Sequence, residues 1–91
     1  MIHEMRLYSE PFEKIKFGEK KMEIRLNDEK RRRVNVGDII VFSKLPDFFD
    51  KIMVKVVGRT EVDSYPNMDK YYSRERQKKL GFVIFSIKLL K

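Results

Sequence analysis

Gly18-Glu19-Lys20-Lys21-Met22-Glu23-Ile24-Arg25 is a glycine turn that runs into a strand. From Lys21 to Leu26 polarity alternates strictly. Successive side chains of a pleated strand point to opposite faces. Met22, Ile24 and Leu26 therefore share one face, and Lys21, Glu23 and Arg25 the other. With Lys20 in the turn just before, a cation, a carboxylate and a guanidinium gather on one side of the chain. Two readings stay open at this point: a solvated strand face with a cross-charge pair, or a binding or catalytic site.

Working outward, His3 to Tyr8 alternates weakly and is expected to be a first strand. Ser9-Glu10-Pro11 carries the marks of a helix start: a hydroxyl cap, an acid and a proline in the first turn. The helix is expected over Glu10 to Phe17, with Gly18 as its stop. Beyond the alternating strand comes a polar turn from Asn27 to Arg33. Val34-Asn35-Val36-Gly37-Asp38 reads as a short extended piece and a tight turn. Ile39 to Phe42 reads as a buried strand and Lys51 to Val62 as the longest strand, Ile52, Val54 and Val56 alternating against Met53, Lys55 and Val57. After Tyr65-Pro66-Asn67, with Asn67 as candidate cap, a second helix is expected over Met68 to Leu80, stopped by Gly81. Phe82 to Leu90 closes as an apolar strand. The order β-α-β-β-β-α-β predicts one α+β domain over residues 1–91, a small mixed sheet or partly closed barrel with two helices at its rim.

Composition narrows the chemistry. The chain has no cysteine and one histidine, His3, which excludes disulfides, thiolate metal sites, a cysteine nucleophile and a multi-histidine metal centre. No apolar run approaches the ~20 residues of a membrane span, and the N-terminal residues do not read as a signal peptide. A cytoplasmic address is the expectation, with no cofactor, metal or membrane partner. The four glycines, Gly18, Gly37, Gly58 and Gly81, are too scattered for a phosphate-cradling loop.

Twenty-one Lys and Arg against fourteen Asp and Glu give a formal charge of +7, spread over both halves of the chain. Such an excess is the electrostatic footprint expected of a nucleic-acid binder, and equally that of a small basic protein that is merely soluble. Two runs concentrate it. Lys30-Arg31-Arg32-Arg33 reads either as a solvated turn or as a phosphate-contact loop. Lys70-Tyr71-Tyr72-Ser73-Arg74-Glu75-Arg76-Gln77-Lys78-Lys79 mixes five cations with two tyrosines. Arginine and tyrosine together clamp phosphates and stack on unpaired bases. Met68, Tyr72 and Leu80 recur near helical spacing, which puts Tyr72 toward the core and leaves Tyr71 as the exposed ring. Asp47 and Asp50 flank Phe48-Phe49 and read as turn formers; the two rings read as packed under the loop or, alternatively, as an exposed apolar patch for a protein partner.

The octapeptide fits G-x-K-x-x-E-x-R through Gly18, Lys20, Glu23 and Arg25. It resembles the signature of the ASCH domain family, related to the PUA fold. The flanking pieces agree along nearly the whole chain: Pro11-Phe12 at the helix start, Val36-Gly37-Asp38-Ile39 before a strand, Tyr71-Tyr72-Ser73 and Gly81. The segment Glu61–Asn67 is shorter than the family pattern has there, which implies a reduced cleft wall. The resemblance implies a mixed β-barrel with a cleft between barrel and helices, generally proposed to bind RNA. Gly18, Lys20, Glu23 and Arg25 would lie at that cleft. Lys30, Arg31, Arg32 and Arg33, with Lys70, Tyr71, Arg74 and Lys78, would extend the nucleic-acid contact. RNA is the expected partner and DNA remains open. Similar proteins include hydrolases that cleave the amide of acetylated cytidine, and a few assigned ribonuclease activity. In the former the motif lysine is catalytic, and a threonine stands where this chain has Glu23. The alternative function is thus a small hydrolase with Lys20 as base or nucleophile and Glu23 as acid/base partner.

Overall fold

The computed structural model describes residues 1–90. Its elements are β1 (Ile2–Leu7), α1 (Ser9–Lys16), β2 (Met22–Leu26), α2 (Glu29–Arg32), β3 (Ile39–Lys44), β4 (Lys51–Val62), α3 (Arg74–Leu80) and β5 (Phe82–Leu89). The strands form one curled half-barrel sheet in the order β1-β3-β4-β5-β2. β1 and β3 are parallel and every other pair is antiparallel. The expected α+β barrel is present, with three helices rather than two. The extra one is the single turn α2, which Asp28 caps by accepting the Arg31 N–H at 3.0 Å.

The core fills the concave face. Met5 and Leu7 of β1, Phe12 and Ile15 of α1, and the inward residues of β3, β4 and β5 close over one another with Val34. α1 lies on this face because Phe12 and Ile15 sit three apart on one side of it. Its N-cap is Tyr8, not Ser9, and no side chain caps it. The Glu13 carboxylate binds Lys44 at 2.7 Å and so fixes α1 to the end of β3. The Lys44 hydrogen bond holds the Glu13 carboxyl below its usual range, and the same contact holds the Lys44 ammonium above its own. At the start of β3, Asp38 accepts from the Asn35 N–H at 3.0 Å and pairs with the His3 ring at 2.8 Å. The Asn35 amide, His3 and the terminal ammonium pull its carboxyl down to about 2.

Two expectations give way to a different local structure. The segment from Met68 to Tyr72 is turn, and α3 begins only at Arg74, because Ser73 caps it by accepting the Arg76 N–H at 3.2 Å. Asn67 is not a cap; it stands at φ 64 and turns the chain. The Phe48-Phe49 loop is not packed under: Phe49 is 86% exposed. Asp47 does form the turn, accepting the Phe49 N–H at 3.1 Å. Gly81 closes α3 as expected, at φ 67, where a Cβ would meet the Val62 carbonyl oxygen at 2.9 Å. Among the described residues no helix is long and apolar enough to cross a membrane.

Candidate functional site

The alternation of β2 is real, but its charged face is not the solvated one. Glu23 pairs with Phe85 and Arg25 with Val83 across the β2–β5 ladder, so both polar side chains share the face of the core residues. Glu23 is only 4% exposed, whereas Met22 on the opposite face is 45% exposed. A buried carboxylate is costly unless it is paired and hydrogen-bonded. Glu23 is paired on both oxygens. Lys20 Nζ donates to Oε1 at 3.0 Å and Arg25 Nε donates to Oε2 at 2.9 Å. Lys20 reaches this point because the turn after α1 folds back, the Glu19 and Lys20 N–H groups both bonding to the Lys14 carbonyl. Gly18, at φ 79, makes that turn possible.

Arg25 has a second task. β1 and β2 are the two outer strands of the sheet. The Arg25 guanidinium crosses from one to the other and donates through Nη2 to the Arg6 carbonyl at 2.6 Å. Lys30 does the same from α2, reaching the Glu4 carbonyl at 2.7 Å. Two backbone acceptors of an edge strand are thereby satisfied by side chains instead of by a ladder.

Beside the Lys20–Glu23–Arg25 cluster lies a hollow of about 640 Å³. Its walls are the end of β1, the first turns of α1, β2, and the turn from Met68 to Tyr72. Five cations border it, Arg6, Lys14, Lys20, Arg25 and Lys70, against two acids, Glu10 and Glu23. Glu10 is spent on Lys14 at 3.2 Å, as Glu23 is on its two partners. Tyr8 and Tyr71 stand at the mouth with ring centroids 6.3 Å apart and planes tilted by 30°. Lys70 Nζ lies 5.0 Å from the centre of the Tyr71 ring. Behind Tyr71, Tyr72 meets Phe82 edge-on at 6.1 Å, which anchors the turn.

Of the residues singled out in the sequence, Lys20, Glu23, Arg25, Lys70 and Tyr71 line this one hollow. Tyr71 is half exposed and Tyr72 half buried, on the sides expected for them, but in a turn and not on the expected helix. Gly18 shapes the turn without lining the space. The Lys30–Arg33 run lies apart, and each of its side chains is engaged within the protein. Arg31 pairs with Asp28, Arg33 with Glu29, and Arg32 donates to the Asn27 carbonyl. Arg74 pairs with Asp69 at 3.1 Å and, with Lys78, lies on α3 outside the lining. The Gln77 amide and Arg74 together hold the Asp69 carboxyl below its usual range. Arg6, Tyr8 and Lys14 were missed. Tyr8 carried a legible signal, an aromatic residue at the junction of a strand and a helix start, but nothing in periodicity sets it against Tyr71. Among the described residues no three His, Asp or Glu side chains are grouped so as to hold a metal ion.

The family model for the ASCH domain matches residues 5–91. Solved structures share the fold, among them these two. The crystal structure of hypothetical protein PH0355 superposes with a TM-score of 0.85 at 34% identity, covering 99% of this chain and 100% of that one. The solution structure of protein PF0455 from Pyrococcus furiosus gives 0.74 at 30% identity, covering 100% and 99%. No curated protein matches.

Proposed function

The chain belongs to the ASCH domain family, which is generally considered RNA-binding, and on that premise we propose that it is a non-catalytic RNA-binding module whose ligand enters the hollow beside Lys20. One observation supports this reading above the others: five cations and two exposed tyrosines border a space whose only acids are already paired. In this reading Arg6, Lys14 and Lys70 attract phosphates at the rim, and Arg74 and Lys78 extend the positive field along α3. Lys20 and Arg25 meet phosphate or a base edge at the floor. Glu23, bonded to both, orients the two cations toward the ligand. The test is fluorescence anisotropy of a labelled single-stranded RNA across a salt series. Each phosphate contacted contributes about −0.7 to the slope of log K against log salt, so three to five contacts predict about −2 to −3.5. A flat titration overturns the reading. Single-stranded DNA of the same sequence, run alongside, reports whether the 2′-hydroxyl matters.

The Lys20–Glu23 contact beside a hollow of this size favours one second reading, hydrolysis of a modified nucleoside or of RNA. Lys20 would then serve as base or nucleophile and Glu23 as its acid/base partner. Incubation with acetylated cytidine and with RNA, wild type beside Lys20→Ala, decides it. Absence of turnover by the wild type removes this reading and leaves the first untouched.

A further inference from the structure

We propose that Tyr8 and Tyr71 form a clamp for one unpaired nucleobase, so that the hollow takes a single-stranded nucleotide and rejects paired bases; this rests on the RNA-binding reading and specifies its ligand. Tyrosine is ordinarily intermediate in burial, yet Tyr8 is 61% and Tyr71 50% exposed, both on one hollow. Their planes differ by only 30° and their centroids lie 6.3 Å apart. A base stacked between two rings needs roughly 6.8 Å, twice the ~3.4 Å rise of stacked bases. The centroid separation is of the order a third ring requires, and rotation about the tyrosine side-chain bonds would set the two planes face to face across a base.

Both rings rise from hydrogen-bonded backbone. The Tyr8 carbonyl accepts the Phe12 N–H at the start of α1, and the Tyr71 N–H bonds to the Met68 carbonyl, each at 3.1 Å. Tyr72 packs edge-on against Phe82 and so anchors the turn that carries Tyr71. Charge suits a nucleotide: Lys70 lies beside the Tyr71 ring and Lys14 lines the same hollow, so cations are at hand for the phosphates of a clamped nucleotide. The volume, about 640 Å³, belongs to the class of pockets that enclose one small ligand, far less than a duplex requires. In a duplex the bases already stack on one another and offer no free face to the tyrosines.

The experiment uses the full chain and a single-stranded RNA hexamer carrying 2-aminopurine, whose emission is quenched on stacking. The wild type should bind with quenching. Tyr8→Leu and Tyr71→Leu should each weaken binding by about 5- to 150-fold, the range of one lost base–aromatic stack, and restore emission. Tyr8→Phe and Tyr71→Phe keep the ring and should bind as the wild type does. The salt slope should stay constant across all four variants, because the phosphate contacts remain. In the wild type itself, the ring protons of Tyr8 and Tyr71 should move upfield as the hexamer is added. Leucine variants that bind and quench like the wild type overturn the clamp while leaving RNA binding intact. So do unmoved ring protons, or equal affinity for a fully paired duplex of the same sequence. A wild type that binds no RNA overturns the clamp together with the reading beneath it.

Discussion

Replacing Glu23 by glutamine tests whether the cluster under the hollow is held as the distances imply. Glutamine keeps the shape and one acceptor but turns an amide NH2 toward one of two cations. The Arg25 contact, at 2.9 Å with 14% of its side chain exposed, is a charged hydrogen bond away from bulk water. Such bonds contribute about 1.5–3 kcal/mol. The Lys20 contact, at 3.0 Å with 30% exposure, is nearer to a surface pair, for which about 0.2–1 kcal/mol is typical. The surviving amide oxygen returns about 1 kcal/mol. The net loss is therefore about 2 kcal/mol. In a domain of this size that moves the melting midpoint down by about 8–16 °C. Thermal melting followed by circular dichroism measures it. Lys20→Met, which removes only the weaker half, should shift the midpoint by a few degrees. A Glu23→Gln midpoint within about 2 °C of wild type, or a larger loss for Lys20→Met, would refute the argument that a shielded Arg25–Glu23 bond dominates the cluster.

Two further perturbations test the frame around the site. The Asp38 carboxyl is held near 2 against an ordinary 3.8, so its contribution is present above the unfolded value and is lost as pH falls through the folded one. The gap in melting temperature between wild type and Asp38→Asn should be full at about pH 5 and should close as pH falls from about 4 to 2; a gap that stays constant over that window refutes the assignment. Gly81→Ala places a Cβ 2.9 Å from the Val62 carbonyl oxygen at a positive φ, and should cost more than the ~1 kcal/mol of an ordinary glycine replacement in urea unfolding; a neutral result refutes the close approach.

Much of the frame was legible because it is written in local patterns. Val54 and Val56 alternate inward along β4, Gly81 stops α3, and the motif residues do gather. What the pattern leaves open is the side that the charges face. A period of two separates the faces of a strand without saying which one is inside. β2 is an outer strand, with no further strand beside it to fill the interior at that end. Lys20, Glu23 and Arg25 fill it instead, and their charges are tolerable there only because they satisfy one another. α3 starts late for a similar reason. The apolar spacing of Met68 and Tyr72 belongs to a turn packed on Phe82, and a helix cap is a matter of one hydroxyl, Ser73, not of periodicity. The Lys30–Arg33 run shows the converse. Four adjacent cations look unpartnered in sequence, but their acceptors, Glu4, Asn27, Asp28 and Glu29, become evident only when the chain is folded.

The bridge that Arg25 and Lys30 make onto β1 gives the molecule a zip with two teeth. Every other join in the wall is a row of main-chain bonds that must part together. Here two long, flexible arms grip two oxygens. Letting go of one leaves all four strand pairings whole, so this seam of the half-barrel is held by side chains where every other seam is held by main chain. Since one of those arms also holds the carboxylate on the floor of the hollow, whatever tugs on that floor tugs on the zip.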